Sequence, residues 1–197
     1  MLEIFLFVNP LGTDCRQAEA AVRRLQHESL EKVDLHVAML LNFQVVTASL
    51  VATHRDPKDL ALRNQLTKAA YEVALDFKAA QLQGNHKARQ LLLGEQEMFT
   101  DGDFTYDPAF AMALVSGYGL NQAAFIDDRK RLAQTPCIDA DQQLASQMGV
   151  TQAPDVVVFD TTNQNPGVRL GNTRNYQRLK AVCEKLQLTP PSMLHVL

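Results

Sequence analysis

Residues 7–15 read Phe-Val-Asn-Pro-Leu-Gly-Thr-Asp-Cys, and the fold prediction starts from this segment. It follows an apolar run over residues 2–8 that is typical of a strand buried on both faces of a sheet. It precedes an amphipathic segment in which apolar residues recur at helical spacing, namely Ala18, Ala21, Val22 and Leu25. Residues 33–41 then alternate in polarity, which predicts a second strand. Together these segments predict a βαβ unit, whose two strands are normally parallel.

The middle of the chain has a different character. Residues 44–149 are dominated by Ala, Leu, Gln, Lys and Glu, which favour helices. Within this block Asp56-Pro57 predicts the start of one helix, Asp107-Pro108 the start of another, and Asn121 the N-cap of the next. Strand character returns over residues 155–160, and a turn-rich stretch followed by a short strand at 168–170 completes a hairpin. A last helix is predicted over residues 175–188, because its apolar residues again fall on one stripe.

The order βαβ, helical block, ββα is the plan of an α/β, thioredoxin-like fold with a large all-helical insertion. We expect residues 1–43 and 150–189 to form the thioredoxin-like domain. Residues 44–149 are then the helical insertion domain, and residues 190–197 a flexible tail. In this plan residues 7–15 join the first strand to the first helix.

Composition and charge exclude several classes of protein. The chain has 197 residues, of which 46% are hydrophobic and 21% are charged, so we expect neither disorder nor a fibrous repeat. A net charge of −3 argues against a general nucleic-acid binder. No apolar run approaches the roughly 20 residues of a membrane helix, and residues 1–8 lack the basic start and cleavage site of a signal peptide. We therefore expect a cytoplasmic protein with no membrane partner.

The cysteines and other candidate ligands point to no metal and no cofactor. Cys15, Cys137 and Cys183 match neither a disulfide scaffold nor a zinc pattern, so reduced thiols are expected. The five histidines include no helical metal pair, and the aspartates near Gly102 lack the ligand spacing of a calcium loop. Cys183 is predicted to be a core residue and Cys137 an inert thiol in a loop. The charged run at residues 127–131 is interpreted as a solvated helix face.

The junction between first strand and first helix is where thiol oxidoreductases keep a Cys-x-x-Cys motif. Amide dipoles at a helix N-terminus stabilise a thiolate there. This chain has Gly12-Thr13-Asp14-Cys15, in which the leading cysteine is replaced by Gly12. We expect dithiol exchange to be lost, because a resolving cysteine cannot complete the reaction without its nucleophile. Cys15 is then either a small apolar group packed under the turn or a redox-sensitive thiol.

A second feature is the loop Gln152-Ala153-Pro154, directly before the third strand. We expect a cis bond at Pro154, which a defined turn holds at small cost. The backbone of Ala153 would then lie beside Cys15 and pair with an extended peptide as an added strand. The other interpretation is that Pro154 simply begins a strand.

These features resemble a known family. Residues 7–11, the stretch Ala-Ala-Gln-Leu-Gln-Gly at 79–84 and the loop at 152–154 are similar to those of DsbA-like proteins of low-GC Gram-positive bacteria. Within that family they resemble the SpxH (YjbH) adaptors of the ClpXP protease. The resemblance implies a cytoplasmic, non-catalytic adaptor that binds the stress regulator Spx and promotes its degradation by ClpXP. Its oligomeric state and docking surface are left open.

Two enzymatic alternatives remain at this point. The first is a DsbA-like thiol-disulfide oxidoreductase that acts through Cys15 alone or with Cys137. The second is a glutathione-dependent isomerase, in which a hydroxyl at the start of the motif activates glutathione. Thr13 could supply that hydroxyl, but it stands one place after Gly12. Whether the chain is an enzyme therefore stays open, with the missing nucleophile favouring a non-enzymatic role.

Overall fold

The computed structural model describes residues 1–12, 15–99, 103–163, 166–171 and 173–188. The strands form one sheet in the order β2-β1-β3-β4; they are β1 (Leu2–Val8), β2 (Val33–Met39), β3 (Asp155–Asp160) and β4 (Val168–Gly171). The helices are α1 (Cys15–Glu28), α2 (Phe43–Ala52), α3 (Leu60–Gln81), α4 (Asn85–Glu95), α5 (Pro108–Gly117), α6 (Gln122–Leu132), α7 (Cys137–Gln147) and α8 (Tyr176–Leu188), with a 3₁₀ turn at Gln96–Phe99. The predicted thioredoxin-like fold with a helical insertion is confirmed.

The sheet is mixed, with its two central strands largely buried. The backbone N–H of Leu2 donates to the carbonyl of Lys32 at 3.0 Å, so β1 and β2 start at the same edge and run parallel. β1 pairs antiparallel with β3, and β3 pairs antiparallel with β4. The near-continuous burial of β1 and β3 explains why both read as apolar runs in the sequence.

The chain divides into two compact units. The first comprises Met1–Val8, Asp14–Ala38 and Ala145–Leu197, and the second comprises Asn9–Thr13 and Met39–Leu144. The sequence-based domain boundaries stay a prediction, and the tail at residues 190–197 lies outside the described residues. No helix in the described part of the chain is long and apolar enough to cross a membrane.

In the first unit, α1 packs against α8 through their apolar faces. Their buried side chains include Ala18, Val22, Leu25, Leu179 and Cys183. At the end of α1, Arg24 pairs with Glu28 at 2.6 Å and its guanidinium lies 4.1 Å from the ring centre of Tyr176. Hydrogen bonds from Tyr176 and then Arg24 lower the pKa of Glu28. This polar cluster joins the two helices at their solvent edge.

The second unit is built around α3, which contacts α2, α4 and α6. The Asp59 side chain caps α3 by accepting the N–H of Leu62 at 3.0 Å. The sequence pattern had predicted a start at Asp56-Pro57, and that start is wrong because Asp56 instead accepts the N–H of Lys58 in a turn. The predicted caps Asp107 and Asn121 do begin α5 and α6.

Candidate functional site

Cys15 is the first residue of α1 and belongs to the first unit. It is only 4% exposed and shares the buried face of the helix with Ala18 and Val22. A helix N-terminus favours a thiolate, but burial keeps this sulfur away from a disulfide in solution. Thr13 and Asp14, the two middle residues of the motif, lie outside the described residues. The position of Cys15 therefore suits a packing role better than a reactive one.

The other two cysteines are poorly placed to react as thiolates. Cys183 is 1% exposed on the inner face of α8, and burial, assisted by Glu184, raises the pKa of its thiol to about 12. Cys137 is half-buried, and its thiol donates to the carbonyl of Leu132 at 3.6 Å. The prediction that Cys137 lies in a loop is wrong, because it begins α7. All three cysteines are thiols, with no disulfide among the described residues.

The loop before β3 belongs to the first unit as well. The Ala153–Pro154 peptide bond is cis, the isomer expected from the sequence. The Pro154 carbonyl accepts the N–H of Thr173 at 3.3 Å, whereas no hydrogen bond in the described part of the chain involves the backbone of Gln152 or Ala153. Gln152 is exposed and Ala153 half-buried. This loop therefore has backbone donors and acceptors available at its surface.

The strand register places this loop beside the end of β1. Phe7 lies opposite Asp155, so Val8 and Pro154, the next residues outward, lie at the same edge of the sheet. Asp155 is buried and pairs with Arg169 of β4 at 2.8 Å, which fixes the start of β3. The opening helix follows β1, so the motif cysteine and the proline loop are both carried by the first unit. The peptide-binding role of Gln152, Ala153 and Pro154 stays a prediction.

The turn that follows β1 lies in the second unit and is organised by Asn9. The Asn9 side chain accepts the N–H of Leu11 at 3.0 Å and donates to Ser49 Oγ at 2.8 Å. The Asn9 carbonyl accepts the N–H of Gly12 at 3.0 Å and the side-chain amide of Gln96 at 3.3 Å. This network ties the turn to α2 and to the 3₁₀ turn, and the sequence pattern did not reveal it.

Gly12 has little room for a side chain in this turn. A Cβ added at position 12 would lie 3.0 Å from both Cβ and Nδ2 of Asn9, closer than ordinary van der Waals contact. A cysteine here would therefore require the Asn9 side chain to give way by a few tenths of an ångström. The turn is thus fitted to glycine at the position where a thiol oxidoreductase has its nucleophile.

A buried charge cluster lies in the second unit. Asp76 of α3 is fully buried and accepts hydrogen bonds from the Tyr106 hydroxyl and the Arg129 guanidinium, which also pairs with Glu72. Burial, then the charge of Asp76, raises the pKa of the neighbouring Glu95 well above its usual value. Burial acts to lower the pKa of Arg129, but Asp76 and Glu72 outweigh it and raise that pKa.

The interpretation of residues 127–131 as a solvated face is therefore wrong for Arg129. Its partner Asp76 lies 53 residues earlier in the sequence, so helical charge patterning could not identify the pair. The available signal was Asp76 itself, an acidic residue inside the apolar stretch Val73-Ala74-Leu75-Asp76-Phe77. Of the aspartates near Gly102, Asp103 accepts the N–H of Thr105 and Asp107 caps α5, whereas Asp101 lies outside the described residues.

Comparisons with known proteins match this chain to the thioredoxin family and to SpxH proteins. A family model described as Thioredoxin matches residues 5–181. The ClpXP adapter protein SpxH of Staphylococcus haemolyticus is 23% identical over 190 residues, which cover 96% of this chain and 66% of that protein. SpxH of Bacillus subtilis is 24% identical over 198 residues, covering 89% of this chain and 64% of that protein. The chain thus spans slightly less than two thirds of the length of these relatives.

A solved structure shares the fold. A DsbA variant from Pseudomonas aeruginosa superposes with a TM-score of 0.60 at 13% sequence identity, covering 95% of this chain and 88% of that one. At this level of identity the likeness concerns the fold alone. The two proteins share a fold in which a helical unit is inserted between the strands of one sheet.

Proposed function

This chain belongs to the DsbA-like branch of the thioredoxin family that includes the SpxH proteins, and on that premise we propose that it is an adaptor protein. In the proposed function it binds a stress regulator of the Spx type in the cytoplasm and presents it to the ClpXP protease. The regulator is delivered and not chemically changed. The names of the curated relatives, ClpXP adapter protein SpxH, support this role.

The observation that carries the proposal is the altered motif at the start of α1. Gly12 stands where the attacking cysteine is required, and a Cβ added at this position would lie 3.0 Å from the side chain of Asn9. Cys15 is buried. Two-step exchange through a mixed disulfide needs an exposed nucleophile and a resolving thiol, so this site is poorly suited to it. A fold that keeps its shape but loses its reactive group is suited to binding.

The backbone of the proline loop offers a means of binding. Gln152 and Ala153 have no backbone hydrogen bond in the described part of the chain. An extended segment of the partner can therefore add as a short strand, gaining main-chain hydrogen bonds while its side chains set specificity. We infer that Gln152, Ala153 and Pro154 contact the regulator in this way.

The direct test is a binding and degradation experiment with purified components. The protein is immobilised and incubated with an Spx-type regulator, and the regulator's degradation by ClpXP is followed with and without the protein. We expect binding and faster degradation. No binding together with an unchanged degradation rate would refute the adaptor role.

A pair of variants tests the proline loop. Ala153→Pro removes the backbone N–H that would donate to the partner strand, whereas Ala153→Ser keeps it. We expect the proline variant to lose regulator binding by about tenfold, as for one or two main-chain hydrogen bonds, and the serine variant to bind like wild type. Both variants are first compared with wild type by thermal unfolding. Equal binding by two folded variants would exclude this loop.

The alternative function is thiol-disulfide oxidoreduction through Cys15, which the DsbA-like fold keeps open. It predicts that reduced glutathione reduces the disulfides of insulin faster with the protein than without it. It also predicts that Cys15→Ala abolishes the rate. If wild type gives only the rate of buffer and glutathione, this alternative fails.

A further inference from the structure

The second unit contains a cavity of about 790 Å³ whose lining residues all belong to that unit. It lies among α3, α5, α6 and the segment before α5. Phe104 and Phe125 contribute buried aromatic surface, and Met112 and Ile126 extend the apolar lining to the outside, where Ile126 is 51% exposed. Small-molecule sites typically have volumes of about 300–1,000 Å³ and are mainly apolar with a few polar groups. The cavity matches both criteria.

The charged side chains around the cavity differ in whether they are paired with an opposite charge. Arg129 is in the wall, but its charge is paired with two carboxylates, Glu72 and Asp76, so this group carries no net positive charge. Lys68 and Lys130 also line the cavity, and both are exposed. Neither lysine has a carboxylate within ion-pair distance in the described ranges of the chain. Two ammonium groups without counter-ions beside an apolar interior favour a ligand that is anionic at one end and apolar elsewhere.

We propose that this cavity binds a small amphipathic carboxylate. The apolar body of the ligand, an aliphatic or aromatic chain of about eight to ten carbons, fills the space between the two phenylalanine rings and Met112. Its carboxylate is held at the mouth by Lys68 and Lys130. The concave shape and the mainly apolar lining are those of a small-molecule site.

The buried charge cluster makes this site rigid on one side. Tyr106 and Arg129 both line the cavity, and both are fixed by hydrogen bonds to the buried Asp76. The Tyr106 hydroxyl and Nε and Nη2 of Arg129 are thereby used within the protein. Lys68 and Lys130 are the lining cations that have no carboxylate partner in the described part of the chain. A wall held in this way needs little rearrangement when the ligand enters.

The test compares two probes of equal length by isothermal titration calorimetry on the full chain. Octanoate carries the carboxylate and 1-octanol lacks it, and both are used below the concentrations at which they aggregate. We expect saturable binding of one octanoate per chain, with 1-octanol bound about tenfold more weakly, as for two partly exposed ion pairs. Lys68→Ala/Lys130→Ala should reduce octanoate affinity about tenfold and leave 1-octanol affinity unchanged.

Two controls make the result specific to the cavity. Lys32→Ala/Lys58→Ala removes the same charge from exposed lysines that do not line the cavity, and should bind octanoate like wild type. Ala133→Trp places a large ring at the exposed rim and should weaken both probes. Each variant is checked by thermal unfolding before titration.

Absence of saturable octanoate binding to wild type would overturn the proposal. Equal losses in the two lysine pairs would do the same, because they would reduce the effect to net charge. A dimer that buries Ile126 without any ligand would also overturn it, since a second copy would then occupy the cavity. The proposal does not rest on the adaptor role, so neither result decides the other.

Discussion

Replacing Arg129 by methionine should strongly destabilise the second unit. Methionine keeps the length and apolar character of the stem, but it leaves Asp76 fully buried without its cation. Removing one partner of a buried ion pair costs about 3–5 kcal/mol, and we take about 3 kcal/mol because the Arg129 side chain is 28% exposed. For a chain of this size that corresponds to a fall in the melting temperature of about 6–12 °C.

The matched control is Arg131→Met on the same helix. Arg131 pairs with Asp128, but its side chain is 69% exposed, so its loss should cost less than about 1 kcal/mol. Thermal unfolding followed by circular dichroism measures both variants. Adding Asp76→Asn to Arg129→Met should recover part of the loss, because the neutral amide still accepts the Tyr106 hydroxyl. Equal melting temperatures for the two arginine variants would show that the buried position of Asp76 does not make the loss of its cation costly.

Three further predictions concern separate residues. Gly12→Ala should lower the free energy of unfolding by about 1–3 kcal/mol, and by clearly less in an Asn9→Gly background, because the added Cβ meets Asn9; full stability of the single variant would contradict this. The pKa of Glu95 is well above 4.5 in the folded chain, so at a pH between these two values the folded chain holds a proton that the unfolded chain has released. The stability that depends on this proton is complete below pH 4.5 and is lost as the pH rises toward the pKa of Glu95 in the folded chain. Glu95→Gln should therefore be more stable than wild type in urea at pH 8, with the difference shrinking toward pH 5, and a constant difference would argue against the titration. In the native protein at pH 8, Cys183 should resist a disulfide reagent that labels Cys137, because burial raises the pKa of the Cys183 thiol to about 12; equal labelling by mass spectrometry would show that α8 opens.

Much of the fold could be predicted because its signals are local. The apolar runs of β1 and β3 and the stripe of α1 lie within single segments, and hydrophobic periodicity identifies such segments. The caps at Asp107 and Asn121 were equally local. The start of α3 was misplaced because two aspartates, Asp56 and Asp59, stand three residues apart and only one of them caps the helix.

The candidate site was only partly predictable. The missing cysteine and the proline loop are visible as residue types at fixed places in the chain. The hydrogen bonds of Asn9 to Ser49 and Gln96 join residues 40 and 87 positions apart, so no local pattern contains them. The same holds for Asp76 and Arg129. Sequence patterns identified the chemistry that the site has lost, whereas the packing that makes Gly12 fit required the structure.

Delivery of a substrate without thiol chemistry is tested by the rate at which ClpXP degrades an Spx-type regulator in the presence of the Cys15→Ala variant. If the protein acts by presenting its substrate, alanine should support the same acceleration as wild type, because the buried sulfur takes no part in the delivery. If Cys15→Ala no longer accelerates degradation, the sulfur is needed and the protein acts through thiol chemistry, which contradicts the adaptor role proposed here.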